Sequence, residues 1–194
     1  MKKLLAVFLV IATILTCTAC GGRKNNNAAK EFTLGTLEGQ SYKNEFLGMG
    51  CLMQNNWTML DHDTISSKIP VEEGEVCAMY GTASGREVIR LDFRPMGADQ
   101  LEALDLTQFC KDYLAGLQPF LTDENHPIYD SYGTPSVSVS GVALTGMSRT
   151  VTRDGTTFYF GAFAIKCDGY VARISVSTFQ EERIEQVMTR FYML

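Results

Sequence analysis

The stretch whose reading decides the fold is residues 156–177, TTFYFGAFAIKCDGYVARISVS. Two runs rich in aromatic and β-branched residues flank Asp168-Gly169, a pair suited to the positive φ angles of a two-residue hairpin turn. In the second run Tyr170, Ala172, Ile174 and Val176 alternate with Val171, Arg173 and Ser175, which is the period of a strand. A second Asp-Gly pair at 154–155 joins the first run to a further strand-like segment upstream. Residues 144–152, 156–167 and 170–177 therefore predict three antiparallel strands in succession. Phe158, Tyr159 and Phe160 are consecutive and so must use both faces of the sheet. Either both faces are covered and all three are core, or one face is open and Tyr159 lines a ligand or partner surface with Tyr129 and Tyr132.

Upstream lies the clearest helix. Asp105 and Gln108 have the spacing of a capping box, Pro119 marks the end, and Leu106, Phe109, Cys110, Tyr113, Leu114 and Leu117 form one apolar stripe. A helix with such a stripe lies on a sheet. Before it, residues 76–80 and 87–93 flank the loop 81–85 and predict a hairpin with one buried face. Ile89, Leu91 and Phe93 take one side, and Val88, Arg90 and Asp92 the other. Residues 72–75 read as an acidic turn, and 61–68 as a short helix capped by Asp61 or Asp63. Residues 136–151 read as two strands broken near Gly141. Thr178 and Glu181 repeat the capping-box spacing before a terminal helix striped by Ile184, Val187, Met188 and Phe191. At the other end, residues 41–57 predict two short strands and a polar turn that delivers Trp57 to the core edge. Residues 32–39 stay open between an edge strand and linker.

The order of elements over residues 41–194 is similar to the PsbP-like/Mog1-like fold, an antiparallel sheet with helices packed on its faces. Tyr42, Asn44, Gly48 and Trp57 resemble the opening of such domains in bacterial lipoproteins, whereas Gln54-Asn55-Asn56 departs from the Pro-x-Gly turn of that family. The resemblance implies a single α+β domain with a sheet of about six strands and two main helices. It implies little about activity, because the fold hosts photosystem assembly factors, a GTPase-binding protein and lipoproteins alike.

The first residues carry the most specific signal. Lys2 and Lys3 precede an apolar run at 4–16 that is broken by threonines and followed by Cys17-Thr18-Ala19-Cys20-Gly21. A membrane span needs about 20 apolar residues, so the run reads as a secretory signal. The segment resembles a bacterial lipoprotein signal peptide, with Thr18 and Ala19 as the small residues before the invariant cysteine, Cys20. Cys17 stands where the pattern usually has Leu. The resemblance implies lipidation of Cys20 and cleavage after residue 19. The polar run at 21–30, without aromatic or β-branched residues, reads as a flexible spacer, which puts the lipidated N-terminus and linker at 20–40 and the domain at 41–194. Acyl chains at ~0.8 kcal/mol per buried methylene would hold such a protein at the membrane, facing outside the cytoplasm.

Loss of residues 1–19 takes the net charge from −5 to −7, and no basic run remains, which argues against nucleic acid as a partner. Cys51, Cys77, Cys110 and Cys167 have no CxxC spacing. They allow two disulfides but read better as buried thiols, since Cys110 sits on the helical stripe. No nucleophile, base and acid are spaced for hydrolysis. Asp61-His62-Asp63 reads as a surface charge cluster, Ser84 as part of a hairpin loop, and His126, after Asp123-Glu124-Asn125, as a loop residue. No metal ligand set and no phosphate-binding glycine loop is visible, so no catalytic, metal or cofactor residue is assigned. The expected protein is a membrane-anchored binding or accessory domain with an unidentified protein or small-molecule partner. The alternatives are an extracytoplasmic enzyme with a site assembled from distant residues, or an assembly factor of an envelope complex.

Overall fold

A computed structural model describes residues 30–84, 87–117, 129–153 and 155–194, without the side chain of Tyr129. The three-strand meander forms as its turn chemistry dictates: β9 (Val142–Arg153), β10 (Thr156–Cys167) and β11 (Tyr170–Thr178) pair antiparallel. Gly169 sits at φ 69° and closes the turn between Cys167 and Tyr170. On the β11 side the sheet continues through β6 (Glu87–Pro95) and β5 (Val76–Ala83) to β4 (Trp57–Met59). On the β9 side it continues to β7 (Tyr129–Gly133), with the short β8 (Val137–Val139) also pairing β9. A second, four-stranded sheet has the order β1 (Thr36–Glu38), β2 (Ser41–Asn44), β3 (Met49–Leu52) and β12 (Phe191–Met193). The α+β antiparallel architecture expected from the sequence is present, and the sheet is wider than the sequence pattern suggests because β4 and β7 are short edge strands.

Both faces of the main sheet are covered. On one face Ile89, Leu91, Phe93, Phe163, Ile174 and Val176, with Trp57 of β4, pack against the small sheet and its β2–β3 turn through Tyr42, Phe46 and Cys51. Helix α4 (Glu182–Met188) adds Ile184, Val187 and Met188 to the same core. On the other face Ala162, Ala164, Met147 and Val171 receive Cys110 and Leu114 of α3 (Leu106–Gly116), with Leu101 of α2 (Ala98–Ala103) alongside. Helix α1 (His62–Lys68) begins where the Asp61 carboxylate accepts the Thr64 N–H at 2.7 Å, and it buries Ile65. Covered on both sides, Tyr159 and Phe160 belong to the two opposite cores.

Residues 32–39 resolve as an added strand with its own anchorage. Thr36–Glu38 pairs with β2, and Phe32 stacks on Tyr170 with ring centroids 4.4 Å apart. The folded unit accordingly runs from Glu31 to Leu194. The motif residues of the opening have physical roles. The Tyr42 hydroxyl donates to the Leu34 carbonyl at 2.7 Å, and the buried Asn44 amide bridges the Thr33 carbonyl and the Leu47 N–H. Gly48 at φ 71° turns the chain into β3, and Trp57 is buried at the start of β4.

Three local expectations are corrected. The β5–β6 hairpin buries both faces, since Asp92 is 1% exposed. The acidic turn at 72–75 forms as expected, closed by the Glu75 N–H on the Glu72 carbonyl at 2.9 Å, and it carries Glu75 into a buried position. Phe191 is not helical: the helix stops at Met188, and residues 191–193 leave it to pair with β3. Thr178 ends β11, and its hydroxyl accepts the Gln180 N–H, so the N-cap of α4 is Glu181 without a side-chain bond.

Candidate functional site

Alternation along β6 places Arg90, Asp92 and Arg94 on one face, and the register sets Arg173 of β11 opposite Asp92 and Ser175 opposite Arg90. Glu75 enters from the turn before β5. Arg173 donates from Nη1 and Nη2 to the two oxygens of Glu75 at 3.0 and 2.9 Å, and from Nη2 to Asp92 at 3.1 Å. Arg90 Nε reaches both Asp92 oxygens at 2.6 and 2.7 Å. Arg94 bonds Glu75 at 2.9 Å and also Glu72. Three guanidiniums and three carboxylates thus interlock on the sheet face beneath α3.

The helix seals this cluster with aromatics. The Tyr113 ring lies 3.7 Å from the Arg173 guanidinium carbon, and its hydroxyl donates to Ser175 Oγ at 3.3 Å. Phe109 faces Arg94 at 5.6 Å. A second buried arginine holds the helix end: Arg149 Nη1 donates to the Leu114 carbonyl at 2.6 Å, while its Nε and Nη2 grip Asp130 at 2.9 and 2.7 Å. A cation there also suits the negative end of the helix dipole. Burial works against charge in the cluster. It raises the Asp92 carboxyl above its ordinary range in spite of Arg90 and Arg173. For Arg173 burial also opposes charge, yet Asp92, Tyr113 and Glu75 hold it above the ordinary arginine value.

Helix α3 does not lie flush on the sheet along its β5–β6 side. A cleft of about 200 Å³ opens between Tyr80, Arg90, Tyr113, Leu117, Phe160 and Ser175. A second, of about 240 Å³, lies between Val71, Glu72, Arg90, Tyr113, Leu117 and Arg173. A third of about 190 Å³ lies nearer the start of the helix, by Arg94, Phe109, Asp112 and Arg173. All three surround Tyr113. Their polar lining sets Arg90, Arg94 and Arg173 beside Glu72, Asp112, Tyr80, Tyr113 and Ser175, and the guanidiniums, which do not exchange their protons in the working pH range, suit recognition of an acceptor.

The residues singled out from the sequence lie elsewhere. Cys20 and the signal segment fall outside the described residues, as do His126 and Asp123-Glu124-Asn125. His62 Nε2 is within 3.1 Å of the Ala78 carbonyl at the start of α1, and Asp61 serves as its cap. Ser84 turns the β5–β6 loop at φ 54°. Tyr132 and Tyr159 do not share a surface: Tyr132 lies opposite Arg149, which lies opposite Phe160, so Tyr159 points the other way. Burial pushes the thiols of Cys51, Cys77 and Cys110 up to about 12 and that of Cys167 up to about 11. These four cysteines are free thiols. Among the described residues no cluster of His, Cys, Asp and Glu could hold a metal ion, and no helix is long and apolar enough to cross a membrane. The arginine cluster had one sequence signal, the alternation Arg90-x-Asp92-x-Arg94 on a strand whose other face is apolar.

No family model matches this chain, and no curated protein matches it in sequence. Among solved structures it is similar to LpqN of Mycobacterium tuberculosis, described as involved in cell envelope biogenesis. The identity is 12%, with 75% of this chain and 82% of that one covered, at a TM-score of 0.42. It is also similar to the Ran-binding protein Mog1p of Saccharomyces cerevisiae, at 9% identity, with 81% and 96% covered and a TM-score of 0.43. Likenesses at this level bear on neither ligand nor activity.

Proposed function

We propose that this chain is a lipoprotein held at the membrane through Cys20, facing outside the cytoplasm, whose folded unit is a non-catalytic binding module with its ligand site at the clefts around Tyr113. The anchor rests on the sequence at residues 1–21, with an apolar run too short to span and small residues before Cys20. The observation that carries the binding reading is the state of the charged groups. Glu72, Glu75 and Asp92 are each engaged by a guanidinium, so the charged side chains best placed to act on a ligand are arginines, which orient and do not shuttle protons.

Membrane fractionation tests the anchor. Cys20→Ala should move the protein from the membrane to the soluble fraction while Cys17→Ala leaves it bound, and equal retention of both would overturn the lipoprotein reading. A hydrolytic or group-transfer activity abolished by alanine at Asp61, His62 or Ser84 would overturn the non-catalytic one.

A further inference from the structure

We infer that the two clefts sharing Arg90, Tyr113 and Leu117 form one site for a small organic carboxylate with a short apolar body; this rests on the binding-module reading above. Charge in the cluster balances, three arginines against three carboxylates, but hydrogen-bonding capacity does not. Each guanidinium carries five N–H donors. Arg173 is 3% exposed and lines the second cleft, yet its Nε has no acceptor, and the buried Nε of Arg94 has none either. Arg90 spends its Nε on Asp92, and its side chain stays 17% exposed, so its outer edge is open to a ligand. Arg90 borders both clefts. Buried donors without acceptors are costly, and a ligand that brings acceptors relieves that cost.

The charge balance selects the kind of acceptor. With every guanidinium already opposed by a carboxylate, Glu72 on the wall of the second cleft and Asp112 at the neighbouring one, a phosphate dianion would add two uncompensated charges where a carboxylate adds one. A carboxylate brings two coplanar oxygens that match an arginine edge, and only one charge. The apolar body would lie against Val88, Leu114, Leu117 and Phe160, which line the first cleft. Clefts of about 200 and 240 Å³ admit a short chain and not a diacyl lipid.

The test is hydrogen–deuterium exchange on the full chain in lipid nanodiscs, with hexanoate, hexanol and hexyl phosphate as probes and protein-free nanodiscs as the partitioning control. Hexanoate should slow exchange at residues 113–117 and 173–177, with hexanol weaker by about tenfold or more for lack of the charge-assisted bond. Arg90→Gln should weaken hexanoate by about tenfold and leave hexanol unchanged, and Arg90→Lys should restore only part, because an ammonium lacks the fork. Leu117→Trp, which fills the shared wall without touching the ion cluster, should abolish protection by both; it carries the test if Arg90→Gln fails to fold. Equal protection by hexanoate and hexanol, tighter binding of hexyl phosphate, or undiminished hexanoate binding in the variants would overturn the proposal. Absence of protection by any probe would overturn it too, and would leave the fractionation result for Cys20 untouched.

Discussion

Replacing Arg173 by methionine removes the cation at the centre of the cluster while keeping a side chain of similar length. Three hydrogen bonds disappear, two to Glu75 and one to Asp92, both of whose side chains are 1% exposed. Breaking a buried pair from one side costs about 3–5 kcal/mol, because the abandoned charge stays desolvated. Here the damage is shared, since Glu75 keeps Arg94 and Asp92 keeps Arg90. The lower end, about 3 kcal/mol, is the expected loss, with the stacking of Tyr113 on the guanidinium forfeited as well. For a urea slope of about 2 kcal/mol/M, the midpoint should fall by about 1.5 M at neutral pH, followed by far-UV circular dichroism. Adding Glu75→Gln should recover part of that loss, because the carboxylate left with half its partners is then neutral. A shift below about 0.5 M for Arg173→Met would refute the reasoning, since it would mean that water reaches Glu75 and Asp92 and the cluster is not desolvated.

Glu87 tests a smaller ion pair by pH. Hydrogen bonds from Arg183 at 2.9 and 2.8 Å hold its carboxyl below the ordinary value. A lowered folded value means that the stabilisation is present above the unfolded pKa and lost as pH falls through the folded one, so the stability gap between wild type and Glu87→Gln should be open at pH 7 and closed in strong acid. Gly146→Ala should destabilise by about 1–3 kcal/mol, because the new methyl would run into the Phe163 ring and meet the Ala162 carbonyl at 2.7 Å. Its thermal midpoint relative to wild type checks this. Mass spectrometry after iodoacetamide at pH 8 should find Cys51, Cys77 and Cys110 unmodified in the native protein and alkylated after unfolding, since burial pushes all three up to about 12.

Elements whose stability is decided locally were legible in the sequence. The Asp168-Gly169 turn, the period-two runs on either side of it and the stripe of α3 each combine turn or capping chemistry with a repeat long enough to register. Elements whose partners are distant were not. Phe191 read as a continuation of the α4 stripe because it fits the helical period, yet pairing of residues 191–193 with β3 wins. The candidate site was hidden for a related reason. Arg90 and Asp92 on alternate positions signal a solvated face when the strand is read alone. They become an interior only because Tyr113 and Phe109 reach over from α3 and Arg173 arrives from a strand 81 residues away. Tyr113 and Phe109 were recognised as buried, but a period cannot distinguish a ring against leucine from a ring against a guanidinium.

The pairing of β12 with β3 also sets a timetable for synthesis. The small sheet needs residues 49–52 and residues 191–193 at the same moment, so its last ladder must wait until residues 191–193 have been made. Until then β3 has β2 on one side and an unsatisfied edge on the other, and Cys51 and Met49 lack the cover that Phe191 and its neighbours bring. A chain threaded across a membrane from its N-terminus would thus hold the β3 edge open until residues 191–193 emerge.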